Sequence, residues 1–501
     1  MNLTMLLEMA MDGFGDRIVV GRRADGLTAA QLHRMAHAGA AAIKRADADA
    51  VVYLAVNGPA FPVAMFAASV AGVPLVPINY RLGEEQLRSL LAKHPKAFGI
   101  GGESEVKTLA AHGIEAITTD EWLSSTKAAT EVAEPDPDPA DAPALVIYTS
   151  GTTSEPKGVL LRHSNLVSYV LSSVEFASAD PDDAALVSVP PYHIAAVANV
   201  ITNLYAGRRV VVLDQFTPSQ WLDVVREERI TNALVVPTML SRIVHADADK
   251  SIPSLRTLSY GGAPMPAAVI ETAMRLWPQV GFVNAYGLTE TSSTIALFGP
   301  DEHRAAFASD DPAVRARLGS VGLPVPGVEI EIRDAEDNVV GPGVAGRICV
   351  RGDQVSAEYA GVGKAVDAAG FFDTRDKGYL DSEGYLFIGG RVDDTIIRGA
   401  ENIAPAEIEE VLHRHPAVLD VAVVGVPDPE WGQRIEAAVV LRPGQACEVE
   451  ELRSFVKAAL RSSKTPDRIV YWDEVPRTET GKLVRRHVLD KILAEESAAS
   501  S

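Results

Sequence analysis

Residues 148–158 read Tyr-Thr-Ser-Gly-Thr-Thr-Ser-Glu-Pro-Lys-Gly and directly follow the apolar run Ala144-Leu145-Val146-Ile147. The apolar run predicts a short buried strand, and the segment after it is too irregular for a helix or a strand. Such a loop offers backbone N–H groups, hydroxyl donors and one cation, Lys157, which together suit a polyphosphate. The stretch therefore predicts a strand followed by a phosphate-binding loop, with a flexible polar surface loop as the alternative.

This loop differs from the common phosphate loop, because that motif needs Gly, four residues and then Gly-Lys-Ser/Thr at the start of a helix. Here Pro156 precedes the lysine and Gly158 follows it. Composition alone favours an ordinary surface loop. The phosphate assignment therefore depends on the other segments of the chain.

On both sides of the loop, short apolar runs alternate with helical patterns. The predicted helices before the loop are residues 27–44 and 59–71. The predicted strand cores are residues 50–56, 73–78, 186–189, 210–213, 234–236, 257–260 and 282–284. Such alternation is typical of parallel sheets covered by helices.

Beyond Gly319 the pattern changes twice. Residues 328–333, 346–350 and 385–388 are short alternating strands between Gly, Pro and Asp turns, which predicts a small β subdomain. After Arg391 a helix (405–413), two strands (418–426 and 435–441) and a second helix (449–460) predict a compact α+β domain. We therefore expect domains at 1–391 and 395–501 with a hinge at 392–394.

The composition narrows the functional class. The 501 residues carry a formal charge of -21, from 67 acidic and 46 basic residues, which argues against generic nucleic-acid binding. Only Cys349 and Cys447 occur, so no disulfide framework is implied. Residues 1–16 lack the order of a secretory signal, and no apolar run reaches membrane-spanning length. A soluble cytoplasmic protein is expected.

Seven separated segments resemble the successive motifs of the class I adenylate-forming superfamily, which contains acyl-CoA and aryl-CoA synthetases, nonribosomal adenylation domains and luciferases. The segments are residues 149–157, 190–193, 260–264, 284–291, 372–376, 390–409 and 476–482. They cover essentially the whole chain, and stand-alone acyl-CoA and aryl-CoA ligases are the most similar members. The resemblance implies a large α/β domain of parallel sheets with a small β subdomain, followed by a small mobile α+β domain.

The resemblance also implies an ATP site. The residues implied at the β- and γ-phosphates are Thr149, Ser150, Gly151, Thr152, Thr153 and Lys157. Tyr286 is expected to stack on adenine, and Asp376 to accept the ribose hydroxyls. The other implied nucleotide-binding residues are Gly261, Gly262, Ala263, Pro264, Asn284, Gly287, Ile388 and Arg391.

The implied catalytic residues are Lys482, which stabilises charge during adenylation, Thr289, which bonds the α-phosphate, and Glu290, which holds Mg²⁺. His193 is expected to flank the carboxylate and gate the acyl pocket, with a satisfied core histidine as the alternative. Ala195, Ala196 and Ala198 after it leave room for a bulky acyl group.

Three residues are implied in the thiol-transfer step. Asp393 is the expected hinge, with an ordinary turn aspartate as the alternative. Gly399 is expected beside the pantetheine tunnel. Trp431 is a candidate for stacking on the adenine of coenzyme A, with simple packing as the alternative. The chain departs from the family pattern at Ser154, Arg375 and Ala400, where glycine is usual.

The resulting prediction is a two-step ligase that adenylates a fatty, aryl or polycyclic acid with ATP and Mg²⁺ and transfers the acyl group to coenzyme A. One alternative is a stand-alone enzyme that loads a carrier-protein thiol, and another is an idle nucleotide-binding scaffold. A luciferase-like monooxygenase is disfavoured. The expected partners are a small carboxylic acid and, in the alternative, a carrier protein; nucleic acid and membrane insertion are not expected, and the chain is expected to be a monomer or a homodimer.

Overall fold

The structure is a computed structural model. It describes residues 2–135, 141–149, 156–391, 394–398, 401–429, 431–460, 462–478 and 481–499, with the backbone alone at positions 402, 497 and 499. Within these ranges, none of the helices has the length and apolar character that crossing a bilayer requires.

The four helices predicted from the sequence are all present, as α2, α3, α14 and α15. Helix α2, for example, starts at a capping box, in which the Thr28 hydroxyl accepts from the Gln31 N–H while the Gln31 side chain accepts from the Thr28 N–H. In chain order the helices are α1 (Leu3–Phe14), α2 (Ala29–Arg45), α3 (Ala60–Ala71), α4 (Glu84–Leu91), α5 (Glu103–Ala111), α6 (Thr119–Ala128), α7 (His163–Ser173), α8 (Ile194–Ala206), α9 (Pro218–Glu227), α10 (Pro237–Val244), α11 (Ala267–Leu276), α12 (Pro300–Ala308), α13 (Pro312–Ala316), α14 (Pro405–His413), α15 (Val449–Ala459) and α16 (Arg485–Ala499).

The strands likewise include all the predicted strand cores. They are β1 (Ile18–Val20), β2 (Leu27–Thr28), β3 (Ala50–Leu54), β4 (Leu75–Pro77), β5 (Ala97–Gly101), β6 (Glu115–Thr118), β7 (Pro143–Thr149), β8 (Lys157–Arg162), β9 (Ala184–Val187), β10 (Arg209–Val212), β11 (Asn232–Val235), β12 (Thr257–Gly261), β13 (Gly281–Leu288), β14 (Ser293–Phe298), β15 (Leu323–Pro324), β16 (Val328–Arg333), β17 (Gly346–Gly352), β18 (Glu358–Tyr359), β19 (Gly363–Lys364), β20 (Phe372–Leu380), β21 (Leu386–Arg391), β22 (Ile396–Arg398), β23 (Glu401–Ile403), β24 (Val418–Asp428), β25 (Gly432–Leu441) and β26 (Arg468–Tyr471).

Two large sheets with parallel centres form the N-terminal part. One has the order β19-β18-β8-β7-β4-β3-β5-β6, and the other β15-β14-β13-β12-β11-β9-β10-β1-β2. The carboxyl ends of parallel strands share one edge of a sheet, which is where α/β folds bind ligands. In the second sheet, β9, β11, β12 and β13 run parallel, so their ends bring the loops after Val187, Val235 and Gly261 to one edge.

A layer of helices lies between the two sheets. One cluster of buried side chains joins α1, α2, α3, α7 and α8 to strands β3, β7 and β8. Helix α8 contributes Val197, Ile201 and Leu204 to this cluster, so that face is fixed in the core. The opposite face of α8 is therefore directed toward the second sheet, where the candidate site lies.

The two smaller units also follow the sequence. An antiparallel sheet of order β16-β17-β20-β21 is the small β subdomain. After it, β23-β22-β25-β24 and β26 form a sheet with its own buried cluster, covered by α14, α15 and α16. The predicted architecture of a large domain of parallel sheets, a β subdomain and a small α+β domain is confirmed.

Candidate active site

The N-terminal sheets and the C-terminal α+β unit enclose an open cavity of about 3480 Å³. Its walls include the carboxyl ends of β11, β12 and β13, the strand β21 and the loop before α16. Most of the residues singled out from the sequence line this one cavity. They are Thr149, Lys157, His193, Gly261, Gly262, Ala263, Pro264, Asn284, Tyr286, Gly287, Thr289, Glu290, Asp376, Ile388, Arg391 and Lys482.

The turn after β12 needs its two glycines. A Cβ at Gly261 would lie 2.3 Å from the carbonyl oxygen of Ala285 on the neighbouring strand β13, too close for any side chain. Gly262 has φ +83°, a left-handed conformation that L side chains rarely adopt. The turn therefore presents backbone without side chains at Gly261 and Gly262, which allows a flat ring to approach closely.

The end of β13 is held rigidly. The Asn284 amide donates to the Ser320 carbonyl at 2.9 Å, in a buried position. At Gly287 a Cβ would fall 1.7 Å from the Ser293 carbonyl oxygen, because β13 and β14 approach closely at an irregular register. The following turn of 3-10 helix, Thr289–Thr291, presents Thr289 and Glu290 to the cavity.

A carboxylate, a phenol and a guanidinium meet at one side of the cavity. The Tyr286 hydroxyl donates to Asp376 Oδ2 at 2.6 Å, and Arg391 Nε lies 3.2 Å from Asp376 Oδ1. Burial raises the pKa of Asp376, while Arg391 and the Tyr286 hydrogen bond oppose that rise. Ile388 packs against the same apolar cluster as Tyr286. The carboxylate is thereby fixed in orientation at the cavity wall.

The strand end at Lys157 connects to Glu290 through a tyrosine that the sequence analysis did not single out. Lys157 Nζ lies 5.8 Å from the ring centroid of Tyr359, and the Tyr359 hydroxyl donates to Glu290 Oε1 at 2.9 Å. Thr149 Oγ1 donates to the Lys157 carbonyl at 3.5 Å, where β7 and β8 pair. Lys157 is therefore linked to Glu290 through Tyr359, and Thr149 pairs with Lys157 at the same strand end.

Lys482 reaches the cavity from the C-terminal unit. Its loop is closed by the Lys482 N–H donating to Thr478 Oγ1 at 3.0 Å and is anchored by an ion pair between Arg477 and Asp420 at 2.7 Å. Burial and the charge of Arg391 lower the pKa of Lys482, and the carboxylates of Asp376, Asp394 and Glu290 oppose the shift. The Lys482 ammonium therefore lies within the electrostatic reach of the site on the other unit.

Contact between the units at this loop is tight. Gly481 has φ +75°, and a Cβ there would lie 2.6 Å from Thr238 Oγ1 at the start of α10. Lys377 Nζ also donates to Thr395 Oγ1 at 3.5 Å, next to the expected hinge. The orientation of the two units therefore places Lys482 over the ends of the parallel strands.

His193 lies at the N-terminus of α8, with its ring centroid 4.7 Å from that of Tyr192. Burial, and then the charge of Lys482, lower the pKa of His193 to about 4. A helix N-terminus also disfavours a cation. The imidazole is therefore neutral at neutral pH and feels the charge of Lys482.

Several expected residues lie elsewhere. Ser150, Gly151, Thr152, Thr153, Asp393 and Gly399 are outside the described residues, as are the departures Ser154 and Ala400. Trp431 is 46% exposed and lies outside the cavity lining, with the Arg398 guanidinium 5.5 Å from its ring centroid. At the departure Arg375, the backbone has φ +61°, a glycine-like conformation, and its N–H donates to Asp373 Oδ1 at 2.8 Å.

The sequence analysis missed three supporting contacts. Tyr359 and Thr238 lie outside the recognised segments, so only the fold brings them to the site. Arg485, which follows Lys482 closely, is paired with Asp394 at 3.2 Å and also with Glu409. The sequence carries no signal for this last contact either, because Arg485 lies 91 positions from Asp394 and 76 from Glu409.

A cavity of this kind, with a lysine from a second unit above a carboxylate-rich edge of a parallel sheet, defines an adenylate-forming type of site. Comparison with known proteins agrees. Residues 7–360 match the AMP-binding enzyme family, and residues 407–482 match the AMP-binding enzyme C-terminal domain. The chain therefore belongs to the AMP-binding enzyme family.

Two relatives show the range of chemistry around this chain. A fatty acid–[acyl-carrier-protein] ligase, ScoC, of Streptomyces coeruleorubidus is 33% identical over 94% of this chain and 92% of its own. A feruloyl-CoA synthase of an Amycolatopsis species is 33% identical over 88% of each chain. The predicted AMP-forming acid–thiol ligase class is confirmed at the level of the family.

Solved structures of o-succinylbenzoate CoA synthetase (MenE) from Bacillus subtilis have the same fold. The complex with the acyl-adenylate intermediate OSB-AMP has a TM-score of 0.85 and 29% identity, and covers 96% of this chain and 97% of that one. The complex with ATP and magnesium has a TM-score of 0.82, 29% identity, and coverage of 97% and 99%. The ATP and Mg²⁺ bound in that second complex agree with the nucleotide and metal predicted from this sequence, and the predicted coenzyme A agrees with the names of the CoA ligase relatives.

Proposed function

We propose that this chain joins a carboxylic acid to the thiol of coenzyme A in two steps, through an acyl-adenylate. The observation that carries the proposal is the position of Lys482. Its ammonium lies within electrostatic reach of Asp376, Glu290 and His193, although it belongs to the other unit of the chain. A cation that reaches the shared cavity only when two units meet suits a reaction in which that cation acts in one step.

In the first step, an oxygen of the acid's carboxylate attacks the α-phosphorus of ATP, and the bond from phosphorus to pyrophosphate breaks. The Lys482 ammonium and Thr289 face the charge that develops on the phosphoryl and entering oxygens. Neutral His193 can donate one hydrogen bond to the carboxylate without competing for its charge. Asp376 is positioned by Tyr286 and Arg391 to accept ribose hydroxyls.

Glu290 fits a hard divalent cation. Oε1 accepts from Tyr359, no protein donor among the described residues contacts Oε2, and the carboxylate lines the cavity near Lys157. Carboxylate oxygen is a preferred ligand of Mg²⁺. The ion would hold phosphate oxygens and neutralise part of their charge.

Glu290→Gln should therefore impair the use of magnesium and leave the fold intact. An amide oxygen is a poorer ligand for a hard cation, so the magnesium concentration for half-maximal adenylation should rise roughly tenfold or more. Titration of adenylation against Mg²⁺ measures this, and excess Mg²⁺ should recover part of the rate. Tyr359→Phe, which keeps the carboxylate, is the matched control and should shift the titration much less. An unchanged titration in Glu290→Gln would contradict the assignment.

The lowered pKa of Lys482 predicts an alkaline limit. The ammonium form is the useful one, so adenylation should fall as pH rises through the lowered pKa, below the 10.5 of an ordinary lysine. His193, with a pKa of about 4, should add no ionisation near 6.5. The pH profile of kcat/KM for pyrophosphate release measures both. A limb near 6.5 that disappears in His193→Gln would show that the histidine titrates during the reaction.

In the second step, the thiol attacks the acyl carbonyl and AMP leaves. We propose that residues 395–501 rotate relative to 1–391 about a hinge at 392–394, centred on Asp393, so that Lys482 departs and Gly399 approaches the cavity. The exposure of Trp431 in the present orientation leaves it accessible to the adenine of coenzyme A. The pairing of Arg485 with Asp394 fixes the segment next to that hinge in the present orientation.

The identity of the thiol is open to direct test, because one relative is named for an acyl-carrier-protein acceptor and another for coenzyme A. Purified protein, ATP, Mg²⁺ and a panel of aryl, fatty and polycyclic acids should release pyrophosphate, and hydroxylamine should trap the activated acyl group. Coenzyme A should then give a thioester faster than a phosphopantetheinyl carrier protein. Failure to trap any acyl group across the panel would refute the proposed function, while a faster carrier reaction would correct the acceptor.

A further inference from the structure

A channel leaves the candidate site between α8 and the second sheet. The unit β9–α8–β10 is a parallel crossover, so α8 runs from the carboxyl edge of the sheet back to its amino edge. The residues that α8 turns to the cavity share one face, at spacings of three and four. They are Ile194, Ala195, Ala198, Asn199, Thr202 and Asn203.

The facing wall of the channel is a line of sheet residues. Leu234, Ser259 and Val283 are paired across β11, β12 and β13, and Asn232 lies two residues nearer the amino edge. At 1.5 Å per residue the 13 residues of α8 span roughly 20 Å, which sets the distance from His193 to the far end. The channel is therefore long, and its walls are lined by uncharged side chains, apolar and polar.

Arg208 lies at the far end, in the turn between α8 and β10, and lines the cavity. Its NH1 group donates to Asn203 Oδ1 at 2.9 Å, whereas its Nε is buried without any acceptor. No described carboxylate lies within ion-pair distance of this guanidinium. Burial lowers the pKa of Arg208, and the carboxylate that opposes this shift is that of Asp183, which is itself paired with Arg256. Arg208 is thus a partly buried cation whose N–H groups are not all hydrogen-bonded.

Arg209, the next residue, is a buried arginine with a structural role, and it provides a comparison for Arg208. Arg209 pairs with Glu228 at 2.7 Å and also donates to the carbonyls of Gly21 and Glu228. Buried cations are ordinarily paired in this way, because the unpaired charge is costly. Helices α7 and α8 and strands β9 and β11 contribute no charged side chain to this cavity among the described residues. Arg208 is therefore the source of charge at the end of the channel remote from His193.

We infer that the acyl channel ends in a recognition site for an anionic oxygen, and that the preferred acid carries a second carboxylate at the end remote from the one that is activated. The inference rests on the proposed function. A guanidinium bonds a carboxylate through its N–H groups, and Nη2 of Arg208, which is not buried and has no acceptor among the described residues, is the group left for such a bond. The neutral lining between His193 and Arg208 suits the apolar body of the acid. Asn203, which bonds both Arg208 and the Asn199 carbonyl, positions the guanidinium.

The test compares three acids of equal length: hexadecanedioate, ω-hydroxypalmitate and palmitate. The kcat/KM for pyrophosphate release should be roughly tenfold to a hundredfold higher with the dicarboxylate than with palmitate, the scale of hydrogen bonds to a charged group. Arg208→Met should remove that preference by lowering the value for the dicarboxylate and raising it for palmitate. A shorter dicarboxylate, suberate, should gain little, because its second carboxylate cannot reach the far end.

Arg315→Met is the matched control, because Arg315 lines another part of the cavity and is already paired with Glu271 at 3.1 Å. It should keep the wild-type preference. Equal rates for palmitate and hexadecanedioate in the wild-type enzyme would overturn the inference and leave the proposed function standing. A preference for hexadecanedioate that survives in Arg208→Met would also overturn the inference without affecting the proposed function. A preference for ω-hydroxypalmitate over both would overturn the anionic ligand and show a neutral oxygen instead. No release with any of these four acids would overturn the inference about the preferred acid, and only the absence of a trapped acyl group across the whole aryl, fatty and polycyclic panel would refute the proposed function.

Discussion

Lys482→Ala is expected to reduce adenylation roughly a hundredfold to a thousandfold, the loss that follows removal of one group aimed at developing charge. The ammonium is within electrostatic reach of Asp376 and Glu290, and the two units must meet to bring it there. Thioester formation from a supplied acyl-adenylate should remain close to the wild-type rate, because that step develops no charge beside Lys482 in the proposed mechanism. The measurement is pyrophosphate release for the first step and thioester yield from the synthetic adenylate for the second.

Lys457→Ala is the matched control for this variant. Lys457 is an exposed lysine on α15 of the same unit, so its loss changes the net charge equally without touching the cavity. Both half-reactions should be unaffected by it. Equal losses of the two half-reactions in Lys482→Ala would contradict the assignment of the lysine to adenylation alone.

The architecture was predictable because the relevant signals are local. The alternation of apolar runs and helical patterns from residue 27 to residue 284 fixes parallel α/β sheets. Helix α14 coincides with its predicted bounds, residues 405–413. Only α2, α3, α14 and α15 were predicted individually, whereas α1, α16 and the helices from α4 to α13 were not. In α16 the hydrophobic residues are sparse, and among its described side chains only Val488 and Ile492 are fully buried, so periodicity gives a weak signal there.

The site was predictable only in part, for a physical reason. Motif residues such as Asp376 and Glu290 are identified by their neighbours in sequence, whereas their supporting contacts join distant segments. Tyr359 lies 69 positions from Glu290, whose carboxylate it contacts. Arg208 gives no signal in sequence either, since Arg208 and Arg209 are alike until the fold pairs one of them with Glu228. Charge compensation is a tertiary property, so such distinctions need the structure.

Gly481→Val is expected to impair adenylation while leaving Lys482 itself unchanged. A side chain at this position meets Thr238 Oγ1 at 2.6 Å and Thr238 Cγ2 at 3.3 Å, so the C-terminal unit cannot seat in the present orientation without displacement. Overpacking of this kind costs about 1–3 kcal/mol, which corresponds to roughly a fivefold to a hundredfold loss of the seated state. Pyrophosphate release should fall by that factor, and thioester formation from a supplied adenylate should not.

The chain offers a close control for the backbone strain in this variant. Gly444 has φ +76°, nearly the +75° of Gly481, but a Cβ there meets nothing within 4 Å. Gly444→Val therefore introduces the same left-handed strain in the same unit without the contact, and adenylation should stay near the wild-type rate. Adding Thr238→Ala to Gly481→Val removes both contacting atoms and should restore part of the lost activity. If Gly444→Val lost as much adenylation as Gly481→Val, backbone strain would explain the defect. If Thr238→Ala restored no activity to Gly481→Val, the contact with Thr238 would not be its cause. Either result would show that the present orientation of the C-terminal unit is not the one that adenylates.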